Sequence, residues 1–248
     1  MSEAQAVAPQ PDKPQMSEIR RLFALLFWEP GNAFADIVKR PRWWVPMILL
    51  VACAMAYMYL VSAQVGWEQV VRDSISQSSQ VQNMPAADLE RLVQQQTRIT
   101  SIVAPVGAVL GTPISMLLYA AVILLFFSGF LGGNATFKEV FGVTAYAQLP
   151  GMVYAALGAI VLQLKPPEDF DIQNPVGLNI GFYLPESMPK ALISFATSLD
   201  LISFWILLLI VIGLRKIDRK ASVGKAWAAV LAPWLIYVLG KTAISAMF

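Results

Sequence analysis

The sequence predicts an all-α membrane protein, a bundle of about five transmembrane helices with an interfacial amphipathic helix at its N-terminus. Three observations predict it. Hydrophobic residues make up 57% of the chain and charged ones only 14%, too few charges to cover a water-soluble domain of 248 residues. Several apolar segments reach the roughly 20 residues that a helix needs to cross a hydrocarbon core about 30 Å thick. Lysine and arginine also collect in alternate loops between those segments, on one side of the bundle, as they do where membrane orientation is set by positive charge.

Residues 1–16 are polar and rich in Pro and Ala. They have no basic start followed by an apolar stretch and a cleavage site, and they read as a disordered tail rather than a signal peptide. Residues 17–43 form the interfacial helix and the segment leading into the membrane. Ser17 is placed to cap a helix running to Trp28. Ile19, Leu22, Phe23, Leu26 and Phe27 recur at helical spacing opposite Glu18, Arg20 and Arg21. At twelve residues from Ser17 to Trp28 it is too short to span. It can lie in the interface with Arg20 and Arg21 at anionic headgroups and Trp28 at the belt, or pack on the cytoplasmic end of the bundle.

Residues 44–247 form the transmembrane domain. Its first span is about 44–64, preceded by Lys39, Arg40 and Arg42 and by belt tryptophans Trp43 and Trp44. The polar segment 65–98 is too long for a turn, and the helical spacing of Leu89, Leu92, Val93, Gln96 and Ile99 predicts a surface helix over 85–99. No charge occurs from Ile99 to Phe137. Pro105, Gly111 and Pro113 are expected to interrupt that stretch, leaving a short buried or interfacial piece and a second span at about 113–131. Gly132-Gly133-Asn134 makes a turn, and the third span is about 140–164 with Pro150 inside. After the Pro-rich loop 165–190 come a fourth span at about 193–214, the basic loop Arg215–Lys225, and a fifth span at about 226–247. Twelve of the 18 Lys and Arg residues fall on the side of the N-terminus, which predicts that side to be cytoplasmic and the C-terminus to be outside.

The search for chemistry excludes more than it finds. The formal net charge of +2 implies no nucleic-acid partner. Histidine is absent and Cys53 is the single cysteine, so there is no zinc ligand set and no internal disulfide. No P-loop and no Gly-x-Ser-x-Gly is present. Neither a cofactor nor a metal is expected, and the acidic loop residues Glu168, Asp169 and Asp171 read as solvated. Asp200 sits within the fourth span, where a charge costs several kcal/mol, about 3 or more, unless it is paired or used. Either Asp200 caps a helix or pairs with Lys241, which lies at a similar depth in the fifth span, or it binds a cation or proton inside the bundle. Gly107-x-x-x-Gly111, Gly151-x-x-x-Ala155 and Ala155-x-x-x-Ala159 are spacings that let helices approach closely, within one chain or between two copies.

Three segments carry a family resemblance: Trp28-Glu29-Pro30 followed by Phe34, Ile37 and Pro41; Phe137 to Pro150 with Tyr146 inside it; and Asp200-Leu-Ile-Ser-Phe-Trp205 leading to Ile212-Gly213-Leu214. Together they resemble the Yip family of Ypt/Rab-interacting membrane proteins, and its bacterial branch in particular, over about residues 17–247. The resemblance implies a five-span fold with a cytoplasmic N-terminus, and it makes Tyr146, Pro150, Asp200, Trp205 and Gly213 structural or interaction positions. Eukaryotic members bind prenylated Rab GTPases and other family members in vesicle traffic. The Asp-Leu-Tyr-Gly-Pro-like motif of those proteins is not visible in this chain, which counts against a Rab-type partner. The expected function is that of a non-enzymatic protein of a bacterial inner membrane, organising lipids or membrane-protein partners, including its own copies. The competing expectation is a small transporter or channel subunit using Asp200.

Overall fold

The computed structural model describes residues 16–76, 81, 84–172, 174–185 and 187–247. The tail expected over 1–16 falls outside it apart from Met16. Ser17 accepts a hydrogen bond from the Arg20 N–H at 3.3 Å and so starts α1, Glu18–Phe23. This helix widens into a π turn, Ala24–Trp28. Pro30, whose fixed φ suits a first helical position, opens α2, Pro30–Lys39, which buries Ala33, Phe34 and Ile37 completely.

The first span is α3, Trp44–Gln64, at the bounds the sequence predicts, because flanking charge and tryptophan delimit it sharply. Gly66, at φ +81, turns the chain into α4, Trp67–Ser76. Residues α5, Ala86–Leu124, and the π turn Leu125–Phe130 then form one helix of 45 residues, about 68 Å at 1.5 Å per residue. The surface helix expected over 85–99 and the span expected over 113–131 are therefore parts of one rod. Pro105 and Pro113 lie inside it without ending it, since each proline removes only one ladder hydrogen bond and neighbouring helices hold the rest in place. Its N-terminal end packs against α4, where Arg72 pairs with Glu68 at 2.8 Å and Glu90 at 3.0 Å.

A capping box between Thr136 and Glu139 starts α6, Phe137–Ala147. Pro150 has no N–H to give the preceding turn, and the helix breaks at Gln148–Leu149 before resuming as α7, Pro150–Leu164. The segment expected to form a fourth span in one piece is two helices: α8, Lys190–Thr197, and α9, Leu201–Ile217. Between them the chain extends and pairs with the loop before α8, the Ile180 N–H donating to the Leu199 carbonyl at 3.3 Å and the Leu201 N–H to the Leu178 carbonyl at 3.0 Å. The last helix is α10, Val223–Met247, which runs through Pro233.

Among the described residues four helical units are long and apolar enough to cross a membrane: α3, α5 with its π turn, α6–α7, and α10. At 17 residues, α9 lies at the lower limit for spanning. At the centre of the bundle is α6, with every residue from Val140 to Ala147 buried, packed among α2, α5 and α9. Close approach explains two of its contacts. A Cβ on Gly142 would run into Pro41, and one on Gly213 of α9 would run into Val143.

Candidate functional site: the face that carries α1

An amphipathic helix docked on a protein ordinarily turns its apolar side inward. Residues 18–28 do so only in part: Ala24 and Leu25 are buried and Leu22 and Leu26 pack on the core, but a charged side chain goes inward with them. Arg21 points into the bundle with only 2% of its side chain exposed. Its Nε donates to Asp36 Oδ2 of α2 at 2.6 Å, and its Nη1 donates to Glu18 Oε1 at 2.6 Å. The other Glu18 oxygen accepts from the Tyr146 hydroxyl of α6 at 2.6 Å, while Arg42 Nη1 reaches Glu18 Oε1 at 3.2 Å. Burial alone pulls the Arg21 guanidinium down, but its hydrogen bond to Asp36 and the charges of Glu18 and Asp36 outweigh it and hold the group above its ordinary value. A buried guanidinium is tolerated on these terms, with its charge matched and its donors occupied.

The opposite side of the same segment is apolar and bare. Ile19, Phe23, Phe27 and Trp28 are all more than half exposed. Their rings form a continuous ridge, with Phe23 stacked on Phe27 at 6.0 Å and Phe27 against Trp28 at 5.9 Å. Arg20 is exposed beside them. The structure therefore separates the two arginines that the sequence groups together. Arg20 and Trp28 face outward, as a lipid or partner contact requires, whereas Arg21 does not. Neighbouring positions on a helix point about 100° apart, and the partners that capture Arg21 lie on α2 and α6, where the periodicity of α1 alone gives no sign of them.

The basic loop after α9 lies on this same face. Lys216 packs beside Gly31 of α2, and Arg215, Arg219 and Lys220 are exposed without an ion pair among the described residues. Asp218 accepts from the Asn134 N–H at 3.1 Å and the Lys220 N–H at 2.9 Å. The Asn134 hydrogen bond, then that of Lys220, holds its carboxyl below the ordinary value. The loop is thereby fastened to the turn before α6.

At the other end of the bundle, Asp200 is the N-cap of α9, its Oδ1 accepting from the Ser203 N–H at 2.8 Å. Lys241 donates to the Thr197 hydroxyl at 3.2 Å, so the two charges are not brought together as a pair. The remaining motif positions are also occupied structurally. Tyr146 is wholly buried, Pro150 begins α7, Trp205 packs against the central core, and Gly213 makes room for Val143. Among the described residues no group of three or more His, Cys, Asp or Glu side chains gathers to hold a metal.

Sequence reasoning passed over Asp36, Glu18 and Arg42 as members of a site; the i, i+3 spacing of Glu18 and Arg21 was the one local signal. Compared with known families, the chain matches the Yip1 domain over residues 24–244. No curated protein and no solved structure matches it.

Proposed function

The chain belongs to the Yip1 domain family, and from that premise we propose that it is a non-enzymatic membrane protein organising lipids and membrane partners at the face that carries α1. One observation carries the reading: α1 and its π turn hold Arg21 inward and offer a ridge of Ile19, Phe23, Phe27 and Trp28 outward. An apolar ridge at the edge of a membrane bundle, with Arg20 beside it and the exposed Arg215, Arg219 and Lys220 following from the α9 end that packs on α2, fits the boundary between acyl chains and anionic headgroups. On this reading α9 is a fifth span, the N-terminus is cytoplasmic and the C-terminus outside, and the membrane is a bacterial inner membrane. Residues 17–43 form the contact layer and 44–247 the membrane domain. On this reading Asp200 serves as the cap of α9, which accounts for its carboxylate without a transported ion.

The test uses the whole protein, cross-linked in intact bacterial membranes and purified with its bound lipids and partners. Charge reversal at Arg20, Arg219 and Lys220 together is expected to lower the co-purifying anionic lipid or partner at least fivefold, with the fold intact by thermal unfolding. Recovery equal to the unaltered protein overturns the proposal.

A further inference from the structure

A cavity of about 220 Å³ opens on the side of the bundle between α3, α5 and the α6–α7 break. Its polar lining is Cys53, Thr112, Ser115 and Gln148, with no charged residue, and small residues such as Gly151 and Ala155 form part of the wall. Ser115 is exposed at the bundle surface, so the mouth faces the lipid. The hydroxyls of Thr112 and Ser115 donate to the carbonyls of Ala108 and Thr112, at 2.8 and 2.9 Å. The Gln148 amide is different. It is half-buried, and its side chain has no hydrogen-bond partner among the described residues.

Depth sharpens the point. Trp43, at the start of the first span, packs on Phe141 of α6 with ring centroids 5.3 Å apart, and Gln148 lies seven residues further along, about 10 Å at the helical rise. At that depth there is little water to satisfy an amide, and an unpaired polar group there is costly. The side chain leans back toward the start of its helix, which brings the amide closer to the level of the lipid glycerol region. The lining is mostly apolar and carries no charge, which suits a single hydrocarbon chain lying in the cleft rather than a polar group. The absence of charge in the lining excludes a phosphate or ammonium group from the interior.

We propose that the cavity holds one acyl chain of a glycerophospholipid from the leaflet on the N-terminal side, whose ester carbonyl accepts a hydrogen bond from the Gln148 amide. The site is separate from the α1 ridge and stands whether or not that ridge binds partners.

The test places the whole protein in vesicles of phosphatidylethanolamine and phosphatidylglycerol containing a trace of phosphatidylglycerol with a photoreactive diazirine on one acyl chain. Adducts are mapped by peptide mass spectrometry and normalised to the lipid-facing Leu239 of α10. Adducts on Met116 and Met152, which line the cavity, are expected to exceed those on Leu239 at least fivefold. Filling the space with Ala155→Leu, or from the mouth with Ser115→Leu, is expected to remove that excess. Gln148→Leu, which keeps the volume and deletes the hydrogen bond, is expected to reduce it at least threefold. Thermal unfolding identifies any variant that fails to fold, and two filling variants on different helices keep the result decisive. Even labelling of cavity and α10, or an excess that survives both filling variants, overturns the proposal. Equal labelling by a diazirine fatty acid lacking the ester overturns the assignment of the ester carbonyl.

Discussion

Replacing Arg21 by methionine, which keeps a long apolar stem and deletes the guanidinium, is expected to release α1 from the bundle. Asp36 is left without a side-chain partner among the described residues, while Glu18 keeps Tyr146 and Arg42. Breaking a fully buried pair costs about 3–5 kcal/mol. The two carboxylates here are 22% and 17% exposed, so water recovers part of that loss, and a cost of about 2–3 kcal/mol is expected. At 1.4 kcal/mol per factor of ten, local opening of α1 becomes about 30- to 140-fold more frequent. Amide hydrogen exchange of the full chain in lipid nanodiscs reads this directly at residues 20–28, with the transmembrane core as the internal reference. Arg21→Lys retains the charge but cannot bridge both carboxylates with a fork of donors, and it should fall between the two. Arg20→Met, one residue away and exposed, should leave exchange unchanged. Exchange at 20–28 within threefold of the unaltered protein in Arg21→Met would refute the clamp.

Three further outcomes follow from the same geometry. Gly213→Ala drives a methyl into the fully buried Val143 and should cost about 1–3 kcal/mol in detergent unfolding; adding Val143→Ala should restore part of it, and additive losses would mean that the two helices do not meet there. Asp200→Asn should unfold within a few tenths of a kcal/mol of the unaltered protein, since asparagine caps equally well, whereas Asp200→Ala should lose about 1 kcal/mol. An asparagine variant as damaged as the alanine one would show that the charge itself is needed. Asp218 has a lowered pKa, so its contribution is present at neutral pH and lost as pH falls through a folded value below the ordinary 3.8. Limited proteolysis of the turn 132–136 should increase in that acid range, and Asp218→Ala should show the open turn already at pH 7 with that pH dependence gone; an unchanged pH profile in the variant would assign the effect elsewhere.

Where charge and tryptophan bracket an apolar run, the sequence is enough, as the coincident bounds of α3 show. The continuity of α5 was not legible, because Pro105 and Pro113 signal a break in water yet are absorbed in a packed membrane helix. The split between α8 and α9 was half legible. A cap was one of the roles open to Asp200, but the loop Leu178–Ile180 that pairs with the break lies some twenty residues upstream and has no pattern pointing there. The site was legible only on its outer side. Arg20, Trp28 and the aromatic spacing of α1 could be read from local periodicity. The inward side depended on Asp36 and Tyr146, whose proximity to Arg21 and Glu18 is a property of the assembled bundle.

The span of the clamp along the chain also sets an order of assembly. Arg21 meets Glu18 three residues away and Asp36 fifteen residues away, but the hydroxyl that completes the Glu18 carboxylate is 128 residues further on. At a synthesis rate of about 5–20 residues per second, some 6 to 26 seconds pass between the emergence of α1 and that of Tyr146. During that interval α1 has its early ion pairs but no docking site on α6. A segment made well before α6 is thus fastened to it late, and its aromatic ridge meets the bilayer surface before it meets α6.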